Sequence, residues 1–270
     1  MGEQVEEKNL HGRVQSIDRA MMLLEAMGMD EHGNRLVDLA SRTGLAPSTV
    51  HRILTTLEQW QFIQYNPNDR MWHIGRQAFA IGSVFTRQSN LVATALPYLR
   101  RLRDQTRETS NLGFVQDGEM VCVDRVESRD ITRSVSRVGS RVPMMASAMG
   151  KAILATYSQE DLEAILSREG SRRFTANTLT RQSALCADLE RIRADGYAVD
   201  DEEMVSGLRC VAAAVYDHHG EAICAISLSS LASRITPQRI PMLGRLLAET
   251  SAQLTAALSG EMPPVNAIAS

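Results

Sequence analysis

The sequence has 270 residues, a net charge of −3 and a hydrophobic content of 44%, and its pI is near 6.1. This length and hydrophobic content predict two domains, each with its own apolar core. The charge argues against a protein that coats nucleic acid nonspecifically. The polar, acidic N-terminus does not resemble a signal peptide, and no apolar run is long enough to span a membrane.

The cysteines Cys122, Cys186, Cys210 and Cys224 are widely spaced and form no C-x-x-C pattern. This spacing favours neither a disulfide scaffold nor a zinc site. We therefore expect a reducing, cytoplasmic location, with no metal and no cofactor.

Residues 36–74 predict two helices joined by a sharp turn and followed by a two-stranded ribbon. Gly44 suits the C-cap of the first helix, and Pro47 suits the first turn of the second. Ser16 is expected to cap a preceding helix that supports the pair. The apolar residues that recur at helical spacing are Leu36, Leu39, Ala40, Val50, Ile53, Leu54 and Leu57.

The other face of the second helix carries short polar groups and one guanidinium, with no acid before Glu58. Hydroxyl groups suit phosphates and base edges, and arginine suits guanine or phosphate. Arg70, at the tip of the ribbon, is placed to reach a phosphate or the minor groove. The residues predicted to contact DNA are Arg42, Ser48, Thr49, His51, Arg52, Thr55 and Arg70.

This layout is that of a winged helix-turn-helix, and the alternative is an ordinary helical hairpin. The charge balance opposes DNA binding, because residues 1–75 hold seven cations against ten acids. We therefore expect modest affinity per protomer, made useful by dimerisation. Residues 76–109 predict a helical joint interrupted near Ser89 and Asn90, with a kink or a helix start near Pro97. The joint either transmits a change of angle or is a plain spacer.

From Asn111 onwards the apolar spacing shifts towards two, which predicts an α+β sensor-like domain. The predicted strands are residues 112–115, 120–123, 209–216 and 221–229, with further strand at Val135, Val138 and Val142. The predicted helices are residues 148–156, 161–166, 184–195 and 237–257.

Three stretches of this domain are expected to converge on a small anion. Ser147 opens a helix whose free N–H groups favour negative charge, and Asp200 precedes Cys210. Ser227 and Ser229 share one face of a strand, where two hydroxyls suit a carboxylate. Alternatively, the serines are bonded locally and the cysteine is a small core residue. No catalytic motif is present, so we expect no enzyme.

The chain resembles the isocitrate-lyase-regulator (IclR) family of bacterial transcription factors over about residues 13–260, and looks closest to the glyoxylate-responsive branch that controls acetate or allantoin catabolism. The segments that carry the resemblance include LASRTGLAPSTVHRILTTLE, GSRVPMMASAMGKAIL, GYAVDDEEMVSGLRCVAAAVYD and AISLSSLASRIT.

The resemblance implies an N-terminal all-α winged helix-turn-helix, a helical linker and a C-terminal GAF-like α+β effector-binding domain. It also implies homodimers that pair into homotetramers on palindromic DNA operators. The implied effector-binding residues are Ser147, Ala148, Met149, Asp200, Cys210, Ser227, Leu228 and Ser229. The implied boundaries are residues 13–75, 76–90 and 91–260, between disordered residues 1–12 and 261–270.

Two positions depart from the family pattern. The glyoxylate binders typically have Ser-Gly-Ala where this chain has Ser147-Ala148-Met149, and Ser-Gly-Pro where it has Ser229-Ser230-Leu231. Met149 either shrinks the pocket or lines it for a less polar ligand. A carboxylate at Asp200 would repel an anion, so we expect Asp200 to accept a hydrogen bond from a hydroxyl, a hydrated aldehyde or water.

The sequence therefore predicts an effector-responsive DNA-binding repressor that senses glyoxylate or another 2-oxo acid. One alternative is an activator of aromatic-acid or other catabolic genes. Another is a GAF-like binding protein or enzyme whose helix-turn-helix only oligomerises.

Overall fold

The computed structural model describes residues 14–30, 32–88, 90–128, 137–169 and 172–263, without the side chains of residues 83–90 and 168–169. The chain divides into two compact units, Met1–Gln88 and Ser89–Ser270.

Within the described residues, the N-terminal unit consists of four helices and an antiparallel ribbon. The helices are α1 (Gln15–Gly28), α2 (Leu36–Thr43), α3 (Pro47–Gln59) and α4 (Arg76–Gln88), and the strands are β1 (Ile63–Asn66) and β2 (Met71–Ile74). The predicted helix–turn–helix with a trailing ribbon is confirmed. The prediction that Ser16 caps the first helix is wrong, because Val14 holds the cap position without a side-chain bond.

The turn between α2 and α3 follows from two residues. Gly44 ends α2 with a φ of 68°, in the left-handed region that glycine adopts without strain. Pro47 begins α3, where its missing N–H has no intrahelical partner to lose. Leu39, Leu54 and Trp72 then bury the two helices and the ribbon in one apolar core, which holds the ribbon beside α3.

In the part of the chain that the structure describes, the C-terminal unit is a six-stranded antiparallel sheet with helices on both faces, so the predicted α+β class is confirmed. The strands are β3 (Thr109–Gln116), β4 (Glu119–Val126), β5 (Arg141–Pro143), β6 (Ala198–Asp201), β7 (Leu208–Tyr216) and β8 (Ala222–Leu231). Their spatial order is β5-β4-β3-β8-β7-β6. The helices are α5 (Asn90–Thr106), α6 (Ala148–Leu154), α7 (Gln159–Glu169), α8 (Gln182–Asp195) and α9 (Ile240–Ala257).

The sheet separates two apolar cores, because successive side chains of a strand point to opposite faces. Along β7, Ala212 and Ala214 pack into the core that includes residues of α6, α7 and α8. Val211, Ala213 and Val215 pack into the core that includes residues of α5 and α9. Polar residues on the sheet face that packs against α6, α7 and α8 are therefore covered by helices rather than exposed to solvent.

Several local predictions differ from the structure. Asp200 lies in β6, a strand that the sequence did not predict. Pro97 lies inside α5, so a helix start at this residue is wrong. Val142 lies in β5 as predicted, whereas Val138 lies in a turn and Val135 lies outside the described residues.

The chain ends and the joint bear on the predicted domain limits. Ser89, at the predicted interruption of the helical joint, lies outside the described residues, between α4, which ends at Gln88, and α5, which begins at Asn90. The predicted disorder of residues 1–12 falls outside the described residues, as does that of residues 264–270.

Candidate functional site

A cavity of about 40 Å³ lies in the C-terminal unit where the start of α6 covers the sheet. Seven of the eight residues predicted to bind a ligand line it. The exception is Leu228, whose side chain points to the opposite face of β8 and packs in the other apolar core. The lining residues are Asn111, Cys122, Ser140, Val142, Ser147, Ala148, Met149, Asp200, Met204, Leu208, Cys210, Ser227 and Ser229.

The register of the sheet brings distant residues together in this cavity. Asp200 of β6 is paired with Cys210 of β7, and Cys210 is paired with Ser229 of β8. One step of two residues along β8, Ser227 is paired with Asn111 of β3. Four strands thus contribute one polar patch to a single face of the sheet, beneath α6.

Asn111 was not predicted as a site residue. Its side-chain Nδ2 donates to Ser227 Oγ at 3.2 Å and to Ser229 Oγ at 3.1 Å. Its Oδ1 atom is buried and has no partner within the described residues. The sequence signal was weak, because the partners of a buried Asn in a strand can be identified only when the neighbouring strand is known.

Ser147 serves as the N-cap of α6. Its hydroxyl donates to the carbonyl of Pro143 at 2.7 Å and accepts from the N–H of Gly150 at 3.2 Å. The first helical N–H groups, those of Ala148 and Met149, precede the first backbone bond of the helix, which Lys151 makes to Ser147. The hydroxyl of Ser147 is therefore a helix cap, and the N–H groups of Ala148 and Met149 are left without an intrahelical partner at a turn that lines the cavity.

Asp200 is 2% exposed, and burial raises the pKa of its carboxyl to about 7. The nearby charge of Glu203 raises this pKa further, whereas hydrogen bonds from the N–H groups of Glu203 and Met204 oppose the shift. Both hydrogen bonds end on Oδ1. The Oδ2 atom accepts no hydrogen bond from the described residues and is left for a ligand or water. The carboxyl of Asp200 therefore keeps its proton to a much higher pH than an ordinary aspartate, which weakens the expected repulsion of an anion.

A buried lysine adjoins this carboxyl and was also missed. Lys151 is 1% exposed, and its Nζ lies 2.7 Å from Asp188 Oδ2 and 2.5 Å from Glu203 Oε1. Burial would raise the pKa of Asp188, but Lys151 and Arg191 together lower it. Burial raises the pKa of Glu203 despite the same lysine. The cluster ties α6 to α8 and to the segment after β6.

The two cysteines that line the cavity are not thiolates. Burial raises the pKa of Cys122 to about 11 and raises that of Cys210 well above its ordinary value. A nucleophile or soft-metal ligand needs the thiolate form. Both residues therefore act as small apolar groups, in agreement with the alternative reading of Cys210.

Met149 limits the size of the cavity. Its side chain is buried, and its Sδ lies 3.1 Å from the position that a Cβ on Gly113 would take. The thioether therefore fills space above a glycine of β3. Of the two predicted effects of Met149, the structure favours a smaller pocket.

In the N-terminal unit, α3 presents the predicted polar face. Ser48, His51 and Arg52 are exposed, while Thr49 and Thr55 are half-buried. The hydroxyl of Thr55 donates to the carbonyl of His51 at 2.9 Å, so only its oxygen lone pairs remain for DNA.

Arg52 and Arg70 are exposed, and their side chains make no hydrogen bond or ion pair with the described residues. Arg70 has a φ of 58° at the end of the ribbon turn, where its N–H donates to Asn66. With His51 and Thr55 it lines an open groove of about 430 Å³ between α3 and the ribbon. These side chains are free to take external partners.

Arg42 has a different environment. Its Nη1 donates to the carbonyl of Ala26 at 3.4 Å and to Asn34 Oδ1 at 3.0 Å. Its Nη2 lies 3.9 Å from Asp30. Arg42 thus ties α2 to the segment after α1, which argues for a structural role rather than the predicted DNA contact.

Other classes of site find no support in the described ranges. No group of three metal-ligating side chains converges there, and no helix there is long and apolar enough to cross a membrane. A larger cleft of about 760 Å³ between α1 and α3 is open to solvent, and its lining includes Ile17, Met21 and Arg52. Its other polar lining residues include Thr49, His51 and Thr55 of α3, so this cleft belongs to the exposed polar face already described rather than to a second ligand cavity.

Comparison with known families gives matches over both units. A model of the bacterial transcriptional regulator IclR C-terminal domain matches residues 84–256, and a model of the IclR helix-turn-helix domain matches residues 16–67. The chain is 38% identical over 251 residues to the acetate operon repressor from Salmonella typhimurium, with 92% of each chain covered.

Solved structures agree. IclR from Thermotoga maritima matches with a TM-score of 0.75 and 28% identity, covering 90% of this chain and 98% of that one. An IclR homologue from Microbacterium hydrocarbonoxydans complexed with 4-hydroxybenzoate matches with a TM-score of 0.78, covering 90% of this chain and 99% of that one. Its identity of 22% makes this last likeness one of fold alone.

Proposed function

The chain belongs to the IclR family of bacterial transcriptional regulators, and from that premise we propose that it is a cytoplasmic repressor released from DNA by a short carboxylic acid. Its helix-turn-helix makes it a DNA-binding regulator. The name of its relative, a repressor of the acetate operon, supports repression over activation. Because such relatives are regulators, the alternative of an enzyme with an oligomerising helix-turn-helix is not supported.

The observation that carries the proposal is the convergence of hydrogen-bonding groups on one enclosed cavity. Ser227 and Ser229 supply hydroxyls, and the first turn of α6 supplies backbone N–H groups at Ala148 and Met149. These groups suit a carboxylate. Asp200 adds a carboxyl that donates when protonated and accepts from a ligand hydroxyl when ionised.

The size of the cavity limits the acid. A cavity of roughly 150 Å³ in another protein binds benzene, and a single water needs roughly 10–15 Å³. The value of about 40 Å³ here, which is room for roughly three waters, therefore favours the smallest acids, glyoxylate before the larger pyruvate. An aromatic acid does not fit while Met149 holds its place, which weighs against the aromatic-acid alternative.

The output of this cavity is contact with DNA. We place α3 in the major groove, where Ser48, His51 and Arg52 meet bases or phosphates, and the ribbon tip with Arg70 on the adjacent backbone. Two such units in a dimer, and dimers paired into tetramers, would read a palindromic operator. The joint over residues 76–90 would carry the change between the effector-binding domain at 91–260 and the DNA-binding domain at 13–75.

The test is a DNase footprint of the purified protein on the DNA upstream of its own gene, repeated with glyoxylate, pyruvate and 4-hydroxybenzoate. A protected palindrome that is lost with one of the two short acids supports the proposal. Absence of a protected site at low salt would contradict repression of its own gene by this protein. Release by 4-hydroxybenzoate alone would overturn the proposed class of effector.

Ser227→Ala makes the test specific to the cavity. This variant should keep the footprint and need about tenfold or more acid for release, because one hydrogen bond to a charged group is lost. Ser167→Ala, on the exposed face of α7 and outside both the cavity lining and α3, is the matched serine control and should leave the footprint and its release unchanged. Unaltered release of the Ser227 variant would place the acid elsewhere.

A further inference from the structure

Asn111 lies in the wall of the cavity, although the sequence did not predict it as a site residue. It is 1% exposed on β3, and it lies in register with Ser227 of β8. Its amide group contacts both serines of the polar patch rather than one. A single side chain therefore sets the environment of both hydroxyls.

The direction of these bonds fixes what the serines offer a ligand. In each bond the amide nitrogen of Asn111 donates and the serine oxygen accepts. A hydroxyl has one hydrogen of its own, which rotates to the partner that remains. Neither Ser227 nor Ser229 donates a side-chain hydrogen bond to any described residue, so both hydrogens are available to a molecule in the cavity.

We propose that Asn111 is a specificity-determining residue: by occupying both serine oxygens with its amide hydrogens, it makes the serines a pair of donors and selects a carboxylate over the uncharged amide of the same acid. The inference rests on the proposed binding of a short acid in this cavity. It adds a residue and a selection rule that the binding of an acid does not by itself require.

The chemistry of the two ligand ends explains the selection. A carboxylate presents two oxygen acceptors and no donor, which matches two hydroxyl donors. A primary amide presents one oxygen and an NH₂ group, so one serine hydrogen would face another donor and leave buried polar groups unpaired. Mismatches of this kind cost about tenfold to a hundredfold in affinity.

The experiment measures the binding of glycolate and glycolamide to the full-length protein by calorimetry. Glycolate should bind the unaltered protein at least about a hundredfold more tightly, with charge and donor matching acting together. In Asn111→Leu, which keeps the bulk without hydrogen bonds, the serines turn freely and the preference should fall about tenfold.

Asn111→Asp keeps the shape but reverses the bonds. Its carboxylate would accept both serine hydrogens and leave serine oxygens facing the cavity, so glycolamide should bind at least as well as glycolate. This variant also keeps the test open if Asn111→Leu does not fold. Ser227→Ala gives a third reading, since losing one donor should weaken glycolate more than glycolamide.

Ser110→Ala is the matched control on the same strand. The hydroxyl of Ser110 donates to the carbonyl of Leu99 at 2.7 Å, away from the cavity, so its loss should lower stability and leave the ligand preference unchanged. A preference that stays within twofold in both Asn111 variants, while Ser227→Ala loses glycolate, would overturn the role of Asn111 alone. Failure of every short acid to bind would overturn the proposed function together with it.

Discussion

The two polar regions of the protein differ in how their side chains are occupied. In and beside the cavity, Asn111, Asp200 and the adjoining Lys151 are buried and bonded to the protein, and burial raises the pKa of Asp200. On α3, Arg52 and His51 are exposed and their side chains are bonded to no described residue. A substitution in the first region should change folding and ligand binding together, whereas one in the second should change DNA binding alone.

The largest effect is expected at the buried lysine. Lys151→Met removes the cation that pairs with Asp188 and Glu203 and leaves a buried carboxyl without its counter-charge. The free energy of unfolding, measured in urea, should fall by about 3–5 kcal/mol. Arg191→Met, which breaks a half-exposed pair with the same Asp188, should cost under about 1 kcal/mol. Equal losses of unfolding free energy in the two variants would contradict the expectation that the buried ion pair matters more than the half-exposed one.

Asp200→Asn should show that the cavity carries an unfavourable charge. Because the folded-state pKa of about 7 lies above the ordinary 3.8, the unfolded chain releases this proton first as the pH rises. The stability contributed by Asp200 therefore falls between pH 3.8 and about 7, by at most roughly 4 kcal/mol. Unfolding at pH 8 should show the Asn variant about 2–4 kcal/mol more stable, with little difference at pH 4. A variant that is less stable at pH 8 would contradict this.

Met149→Ala should cost stability and widen the choice of ligand. Removing a buried thioether above Gly113 is expected to lower the free energy of unfolding by about 2 kcal/mol, at the low end for such changes because a cavity already adjoins the site. The enlarged space should admit 4-hydroxybenzoate, detected as a rise in melting temperature. No rise with the aromatic acid would show that another group sets the size limit.

Arg52→Ala should have the smallest effect on folding. With no partner among the described residues, its loss should change stability by under about 0.5 kcal/mol. Operator affinity should fall by about 1–3 kcal/mol in a fluorescence-anisotropy titration. Arg42→Ala is the matched control, because Arg42 is hydrogen-bonded within the unit and its loss should lower the free energy of unfolding. If Arg52→Ala destabilises the protein as Arg42→Ala does, the exposed face is also structural.

The two regions also differed in how far the sequence predicted them. The helix-turn-helix depends on local signals, namely Gly44 and Pro47 at the turn and an apolar stripe at helical spacing. The positions of its two helices could therefore be predicted from the sequence. The role of Arg42 did not follow, because its partners Asn34 and Asp30 come from another segment.

The cavity depends on pairing between strands. Ser227 and Ser229 were found because alternation along one strand is visible in sequence, and Leu228 between them was misplaced when the whole segment was taken over from the family. Asn111 and Lys151 escaped because a lone polar residue in an apolar segment shows neither its burial nor its partner. Sheet register and helix packing supply both, and no local pattern encodes them.

Because the site is assembled by the antiparallel register, it depends on the number of residues between the paired strands. The pairs Cys210–Ser229 and Asn111–Ser227 lie on unbroken stretches of the β7–β8 and β3–β8 ladders. The β7–β8 pairing is irregular only near the hairpin end, where Val215 pairs with Cys224 and Tyr216 with Ala222. Sliding β8 by one residue would place Leu228 in the cavity and both serines among apolar side chains. A substitution can therefore change this site without moving its other residues along the strands, whereas insertions and deletions in the hairpin are tolerable only where the bulge absorbs them before they reach the serines.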